Sequence, residues 1–380
     1  MDLLLAPERY VQRKGLLNEA GRFIFPFGKK PLVLADRRVF SIIGEKIICS
    51  LREVGLSPTF EEFRGECSPK EIERVVKVAQ REEIDVIVGC GGGKALDTAK
   101  TTSFYLRLPV VTVPTSAATC AAWSFIAPLY TESGAYIRTM DLKKSPELVL
   151  ADSEIIARAP VRLLCAGMAD TLAKWYEGRV AAKRMKKDLC VKLALDLSRR
   201  AYEIIKESGP KAKEDAERGN CSDEVELIIQ TNILLTGLIA GLGRKIRSLA
   251  AHALNYAMSF VEGTRSILHG EKVAFGIIMQ LILENREDEE IEELLNLYSL
   301  LDLPLSLEEI GLKNEEKLRK TVKTIFREKS HIYDLPFPVN EEMVYRALLR
   351  ADEWGRKVKS RKENIPCLTR ENCQKRKEVF

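Results

Sequence analysis

Four short apolar runs, PLVLAD (31–36), IDVIVG (84–89), LPVVTVP (108–114) and ELVLAD (147–152), punctuate the first part of this chain, and the segments between them carry helical spacing. No other feature narrows the fold as much. Val39, Ile42, Ile43, Ile47 and Leu51 recur at the helical period after the first run. An extended segment at 58–63 is followed by EIERVVKVAQREE, with Ser68 as cap, Pro69 in the first helical position and Glu71 to complete a capping box. GKALDTAKTTSFYL (93–106) supplies another helix. Strands alternating with helices require a parallel sheet wrapped by helices, the α/β class. From about Arg158 the text becomes rich in Leu, Ala, Lys and Glu at helical spacing, with helices expected over 161–184, 188–207, 223–240, 247–260, 272–286 and 340–357. The expectation is therefore an α/β domain over 1–157 and an all-α domain over 158–380. The basic stretch 358–380 is read as a loosely ordered tail.

Composition removes several function classes. Hydrophobic residues at 46% in a chain of 380 can build large cores, so a disordered or low-complexity chain is excluded. Lys and Arg number 60 against 55 acids, too slight an excess for a nucleic-acid binder. The nine cysteines are odd in number, scattered and never spaced as CxxC, which argues against a disulfide framework or zinc ribbon and for a reducing compartment. The start, MDLLLAPERY, is no signal peptide, and no run approaches the roughly 18 uninterrupted apolar residues of a membrane helix. A cytoplasmic protein with a small-molecule substrate, and with neither nucleic acid nor membrane as partner, is expected.

Two constellations carry chemistry. Gly89-Cys90-Gly91-Gly92-Gly93-Lys94 joins a buried strand to a helix, where close backbone approach and free N–H groups attract a phosphate. It is not a P-loop, because Val88 and Ala95 stand where glycine and Ser or Thr are needed. Nor does it occupy the first βα turn, where a Rossmann GxGxxG belongs. Asp36 ends the first clear strand, where a carboxylate can accept from an adenosine ribose or cap the next helix; Arg37 and Arg38 would instead receive a 2′-phosphate. The second constellation is Asp170, His252 and His269, polar residues among small and apolar helix formers. Singly, each reads as a satisfied core or capping residue; together they suit one divalent cation with three protein ligands and an open position.

GCGGGKALDTAK (89–100), VPTSAAT (113–119), APVRLLCAGMADTLAKWYE (159–177), AAHALN (250–255) and LHGEKVAFG (268–276), with APERYVQRKGLL near the start and LPFPV (335–339), resemble the glycerol dehydrogenase branch of the iron-containing (type III) alcohol dehydrogenase superfamily. The resemblance spans residues 6–357. It implies a dinucleotide-binding α/β domain, an all-helical domain and an active site in the cleft between them. It also implies NAD, with NADP possible, one divalent metal (zinc first, iron second) and a homo-oligomer. By motif match Asp170, His252 and His269 would be the metal ligands and carry the catalysis. Asp36 would meet the adenosine ribose, and Gly91, Gly92, Gly93, Lys94 and Asp97 the pyrophosphate. Thr115, Ala118, Ser124, Ile126 and Tyr130 would line the nicotinamide side.

Three departures bear on the substrate. Cys120 stands where glycerol dehydrogenases carry an aspartate that touches the polyol, within a TCAAW pattern similar to members acting on 2-hydroxy and 2-oxo acids. Arg244-Lys245-Ile246-Arg247 replaces an acidic, glycine-rich stretch, and Asn255 stands where many relatives have a second histidine. The expected function is hydride transfer between NAD(P) and a small alcohol or carbonyl, leaning to 2-hydroxy and 2-oxo acids, with Cys120, Arg244 and Arg247 at the substrate. The alternatives are a glycerol dehydrogenase, a non-catalytic nucleotide- or metal-binding sensor, and a relative that rearranges a phosphorylated sugar.

Overall fold

A computed structural model describes residues 4–186, 188–242 and 248–363. The chain opens with β1 (Arg9–Arg13), α1 (Ala20–Ile24), β2 (Pro31–Ala35), α2 (Arg37–Glu53), β3 (Thr59–Glu62) and α3 (Pro69–Arg81). It continues through β4 (Val86–Gly91), α4 (Gly93–Leu106), β5 (Val110–Pro114), β6 (Ile126–Tyr130), β7 (Tyr136–Asp141), β8 (Leu148–Asp152) and α5 (Ser153–Ala157). Six strands form one parallel sheet in the order β1-β8-β5-β4-β2-β3, and β6 with β7 makes a separate antiparallel hairpin. Alternation along each strand feeds two cores. Val33, Ala35, Val86 and Val88 pack with α1 and α2 on one face, while Leu32, Leu34 and Ile87 pack with α3 and α4 on the other. From β2 the chain leaves toward β3, and from β4 toward β5 on the opposite side. That reversal opens a crevice at the carboxyl ends of these adjacent strands, where open α/β sheets bind ligands.

After α5 the described chain is helical: α6 (Val161–Ala181), α7 (Leu189–Glu217), α8 (Asp223–Gln230), α9 (Thr236–Leu242), α10 (Ala250–Met258), α11 (His269–Leu283), α12 (Asp288–Leu300), α13 (Glu315–Ile325) and α14 (Glu341–Glu363). Their apolar faces merge into one large core.

Several expectations need correction. Ser68 caps α3 as read, but the Glu71 carboxylate accepts from Arg64 N–H and binds Arg74, leaving the capping box half made. The helix expected over 223–240 is interrupted by a π turn at Thr231–Leu235, where Thr236 Oγ1 donates to the Thr231 carbonyl at 2.9 Å. With the turn included, Asp223–Leu242 is long and apolar enough to cross a membrane by length and composition, although most of it is buried in the helical core. α7 runs ten residues beyond its expected end, through Pro210. α14 reaches Glu363, past the expected start of the tail at 358, because Val358 still falls on its buried face. Residues 364–380 of that tail lie outside the described residues.

Candidate functional site

A cavity of about 640 Å³ runs between the carboxyl edge of the sheet and the helical part. Val39, Ile42 and Lys46 on α2, Gly92, Gly93 and Lys94 at the start of α4, and Asp170, His252 and His269 from the helical part all line it. Gly91 holds φ +136°, a conformation that L side chains rarely adopt, and so turns β4 into α4. Gly92 caps α4 without any side-chain bond, which leaves the first N–H groups of the helix free to meet an anion. Lys94 Nζ is 2.5 Å from Glu66 Oε1, and its ammonium lies 5.6 Å from the centre of the Tyr130 ring.

The ligand atoms of Asp170, His252 and His269 all lie within 4.8 Å of one another. Both histidine Nε2 atoms approach the same oxygen, Asp170 Oδ1, at 3.5 Å. Three helices meet to achieve this. Asp170 is mid-helix on α6, His252 sits on α10, and His269 is the first residue of α11. Gly270 lets α11 press against α6, since a Cβ there would lie 1.8 Å from the Ala166 carbonyl oxygen. Gly167 does the same toward the Ala117 carbonyl, at 1.9 Å. Beneath the triad, the fully buried Glu177 accepts from Leu249 N–H (2.7 Å) and His252 N–H (3.1 Å), and its other oxygen is 2.5 Å from His252 Nδ1. A proton on Nδ1 toward Glu177 leaves the Nε2 lone pair facing the cavity, the arrangement a metal-bound imidazole needs. Burial alone would raise the Asp170 carboxyl, but Lys174, His252 and His269 hold it well below the usual carboxylate range. Burial would lower the His252 imidazole, yet Glu177 and Asp170 push it up to about 9; at His269 burial prevails and lowers it. A mixed Asp/His₂ donor set with a second carboxylate behind one imidazole fits a divalent cation.

The wall between loop and triad is held by a buried lysine that sequence reasoning missed. Lys100 Nζ lies 2.8 Å from Asp97 Oδ1 and donates to the Ser124 carbonyl and hydroxyl (3.0 Å each) and to the Ile126 carbonyl (2.8 Å). Burial raises the Asp97 carboxyl against the pull of Lys100. Asp97, Thr115, Ala118, Cys120, Ser124, Ile126 and Tyr130 all border the cavity. Asn232, in the π turn, donates to the Ala117 carbonyl (3.0 Å) and accepts from Thr171 Oγ1 (3.1 Å), tying the 115–120 loop to the helix that carries Asp170.

Asp36 takes the capping role. Its Oδ1 accepts from Val39 N–H at 2.8 Å, and Arg38, not Asp36, borders the cavity. Arg37 pairs with Glu62 at 2.9 Å. Arg244 and Arg247 lie outside the described residues. Lys174 and Glu177 were also missed, although they stand four and seven residues after Asp170 and so share its face of α6. Lys174 Nζ is 3.2 Å from Asp170 Oδ1, and it too lines the cavity.

Residues 7–153 match the iron-containing alcohol dehydrogenase family. Over 362 residues the chain is 36% identical to glycerol dehydrogenase of Citrobacter freundii, covering 93% of this chain and 98% of that one. Hydroxycarboxylate dehydrogenase A of Escherichia coli is more distant, at 28% over 368 residues, covering 93% and 98%. The crystal structure of glycerol dehydrogenase from Schizosaccharomyces pombe superimposes with a TM-score of 0.88 at 27% identity, covering 96% of this chain and 93% of that chain. The protein therefore belongs to the glycerol-dehydrogenase-like branch of the iron-containing alcohol dehydrogenase family, and is an oxidoreductase of the alcohol dehydrogenase type.

Proposed function

We propose that this protein transfers a hydride between NAD and a small alcohol whose neighbouring carbon carries another oxygen, the class that includes glycerol. The observation that carries the reading is the placement of a phosphate-ready glycine loop and an Asp/His₂ donor set at two stations of one cavity. When bound, a divalent cation supplies Lewis acidity to the substrate oxygen and the nicotinamide accepts or gives the hydride. Asp170, His252 and His269 would hold the cation, zinc or iron, and Glu177 keeps His252 in the tautomer that does so. Gly92 and Gly93 would seat the pyrophosphate on the free N–H groups of α4, with Gly91 making the turn that presents them. Lys100 fixes Ser124 and Ile126, so the wall against which a nicotinamide would stack is set before the cofactor arrives. Residues 1–157 would then serve the dinucleotide and 158–380 the metal, in a cytoplasmic homo-oligomer.

Greater identity to a glycerol dehydrogenase than to a hydroxycarboxylate dehydrogenase supports a polyol substrate. The 2-hydroxy and 2-oxo acid reading keeps separate support from the site, where neutral Cys120 and the ammonium of Lys174 both border the cavity. Initial rates on glycerol, dihydroxyacetone and a series of 2-oxo acids, with NAD(H) and NADP(H), test the proposal. Turnover of at least one such pair is expected, and none with either cofactor would refute it.

A further inference from the structure

Lys174 lies one helical turn beyond Asp170 on α6, 6% exposed, with its ammonium at the edge of the cavity. An ammonium carries three N–H donors. Asp170 Oδ1, at 3.2 Å, is the one hydrogen-bond acceptor it meets among the described residues. Two donors remain for whatever enters. The oxygen that Lys174 binds is the one both histidine Nε2 atoms approach. A ligand that reaches the triad through a hydroxyl or carbonyl oxygen therefore brings the substituent on its next carbon toward Lys174. A lysine needed only to neutralise Asp170 would be redundant beside a divalent cation that takes up the same charge.

The charge balance points the same way. A divalent cation, Lys174, Asp170 and Glu177 sum to one net positive charge, with both histidines neutral as ligands. A neutral polyol would leave that charge buried and uncompensated, at a cost, whereas a substrate carboxylate cancels it. Cys120 adds no negative charge, because burial pushes its thiol up and keeps it protonated.

We propose that Lys174 is the substrate-anchoring cation of this site, holding a carboxylate on the carbon adjacent to the reacting carbon and so selecting 2-hydroxy and 2-oxo acids over neutral polyols. The inference rests on the dehydrogenase reading above and names the group that sets its substrate class.

The test uses the full-length, metal-loaded protein and its K174M and K174R variants. One arm titrates oxamate, a non-reacting 2-oxo acid analogue, into the enzyme–NADH complex by fluorescence. The other compares kcat and KM for pyruvate and dihydroxyacetone, with bound metal counted in every variant. Removing one partner of a desolvated charge pair should weaken oxamate binding and pyruvate kcat/KM by roughly 30-fold or more, mostly through KM. The loss on dihydroxyacetone should stay at least about tenfold smaller, and K174R, which keeps the charge, should recover most of the oxamate affinity. Equal losses on both substrates would assign Lys174 a role at the metal ligands and overturn the proposal, as would wild-type protein that binds no oxamate. Oxamate binding lost in K174M, alongside a wild type that turns over nothing, would uphold the anchor while refuting the dehydrogenase reading.

Discussion

Gly270 follows the ligand His269 at the start of α11, and the backbone of α6 passes where its side chain would be. A Cβ at this position would stand 1.8 Å from the Ala166 carbonyl oxygen, 2.5 Å from its carbon and 2.9 Å from its Cα. All three are backbone atoms, so no rotamer change can relieve the clash. In Gly270→Ala the two helices must separate by about 1.2 Å to bring the closest contact to 3.0 Å. His269 moves with α11, and Asp170 stays with α6. Ligand distances in metal sites are specified to about 0.2 Å, so the displacement is several times what the site tolerates. Glu271 resists the movement, since its carboxylate grips Arg162 of α6 at 2.5 and 2.7 Å, and overpacking here should cost about 1–3 kcal/mol of stability. The expected outcome is a folded protein whose affinity for zinc falls at least about tenfold, the lower end of what lost support around a ligand costs. Metal buffered by a competing chelator measures that affinity. NADH binding, read by fluorescence, should change far less because the glycine loop is carried by β4 and α4. A folded Gly270→Ala protein with wild-type zinc affinity would refute the claim that this helix contact sets the triad.

Three further outcomes follow from the same geometry. Glu177→Gln removes the charge behind His252 Nδ1 and should weaken metal binding by about 10–100-fold, measured by chelator competition; an unchanged affinity would remove Glu177 from the site. Asp36→Ala should cost about 1 kcal/mol through the lost cap of α2, read by chemical denaturation; unchanged stability would contradict the capping role. Lys272 is 8% exposed, and burial with nearby Lys94 holds its ammonium down at about 8 against the usual 10.5. Between those values the unfolded chain binds more protons, so its contribution to stability is fully present above 10.5 and is lost as pH falls through about 8. Lys272→Met should remove this pH-dependent difference, on the order of 3 kcal/mol, and chemical denaturation across the window should show wild type and variant converging as pH rises.

The sheet was legible because each buried strand leaves a continuous apolar run, and a run followed by helical spacing admits few topologies. β1 was not, since RYVQR is an edge strand paired only with β8 and has no apolar run to betray it. The β6–β7 hairpin hides similarly behind Pro128 and alternation too short to register. The triad could be read because aspartate and histidine are conspicuous among alanines and leucines. Lys174, Glu177 and Lys100 were not, since a lysine or glutamate every third or fourth residue is the ordinary text of a solvated helix face. For Lys174 and Glu177, only the i, i+4, i+7 spacing from Asp170, along a helix that is mostly small and apolar, separates them from that background. Asn232 was hidden for a different reason: a π turn has no sequence signature, and its hydrogen bonds reach a loop and a helix more than sixty residues away.

The central claim is that Asp170, His252 and His269 hold the ion on which turnover depends. Its most direct measurement strips the protein with chelator, restores zinc or iron in steps, and follows bound metal and NAD-linked turnover together. Activity should vanish on stripping and return in proportion to occupancy, saturating at one ion per chain, with no return in His252→Ala or Asp170→Ala. Full turnover in metal-free protein, or restoration in those variants, would contradict the account.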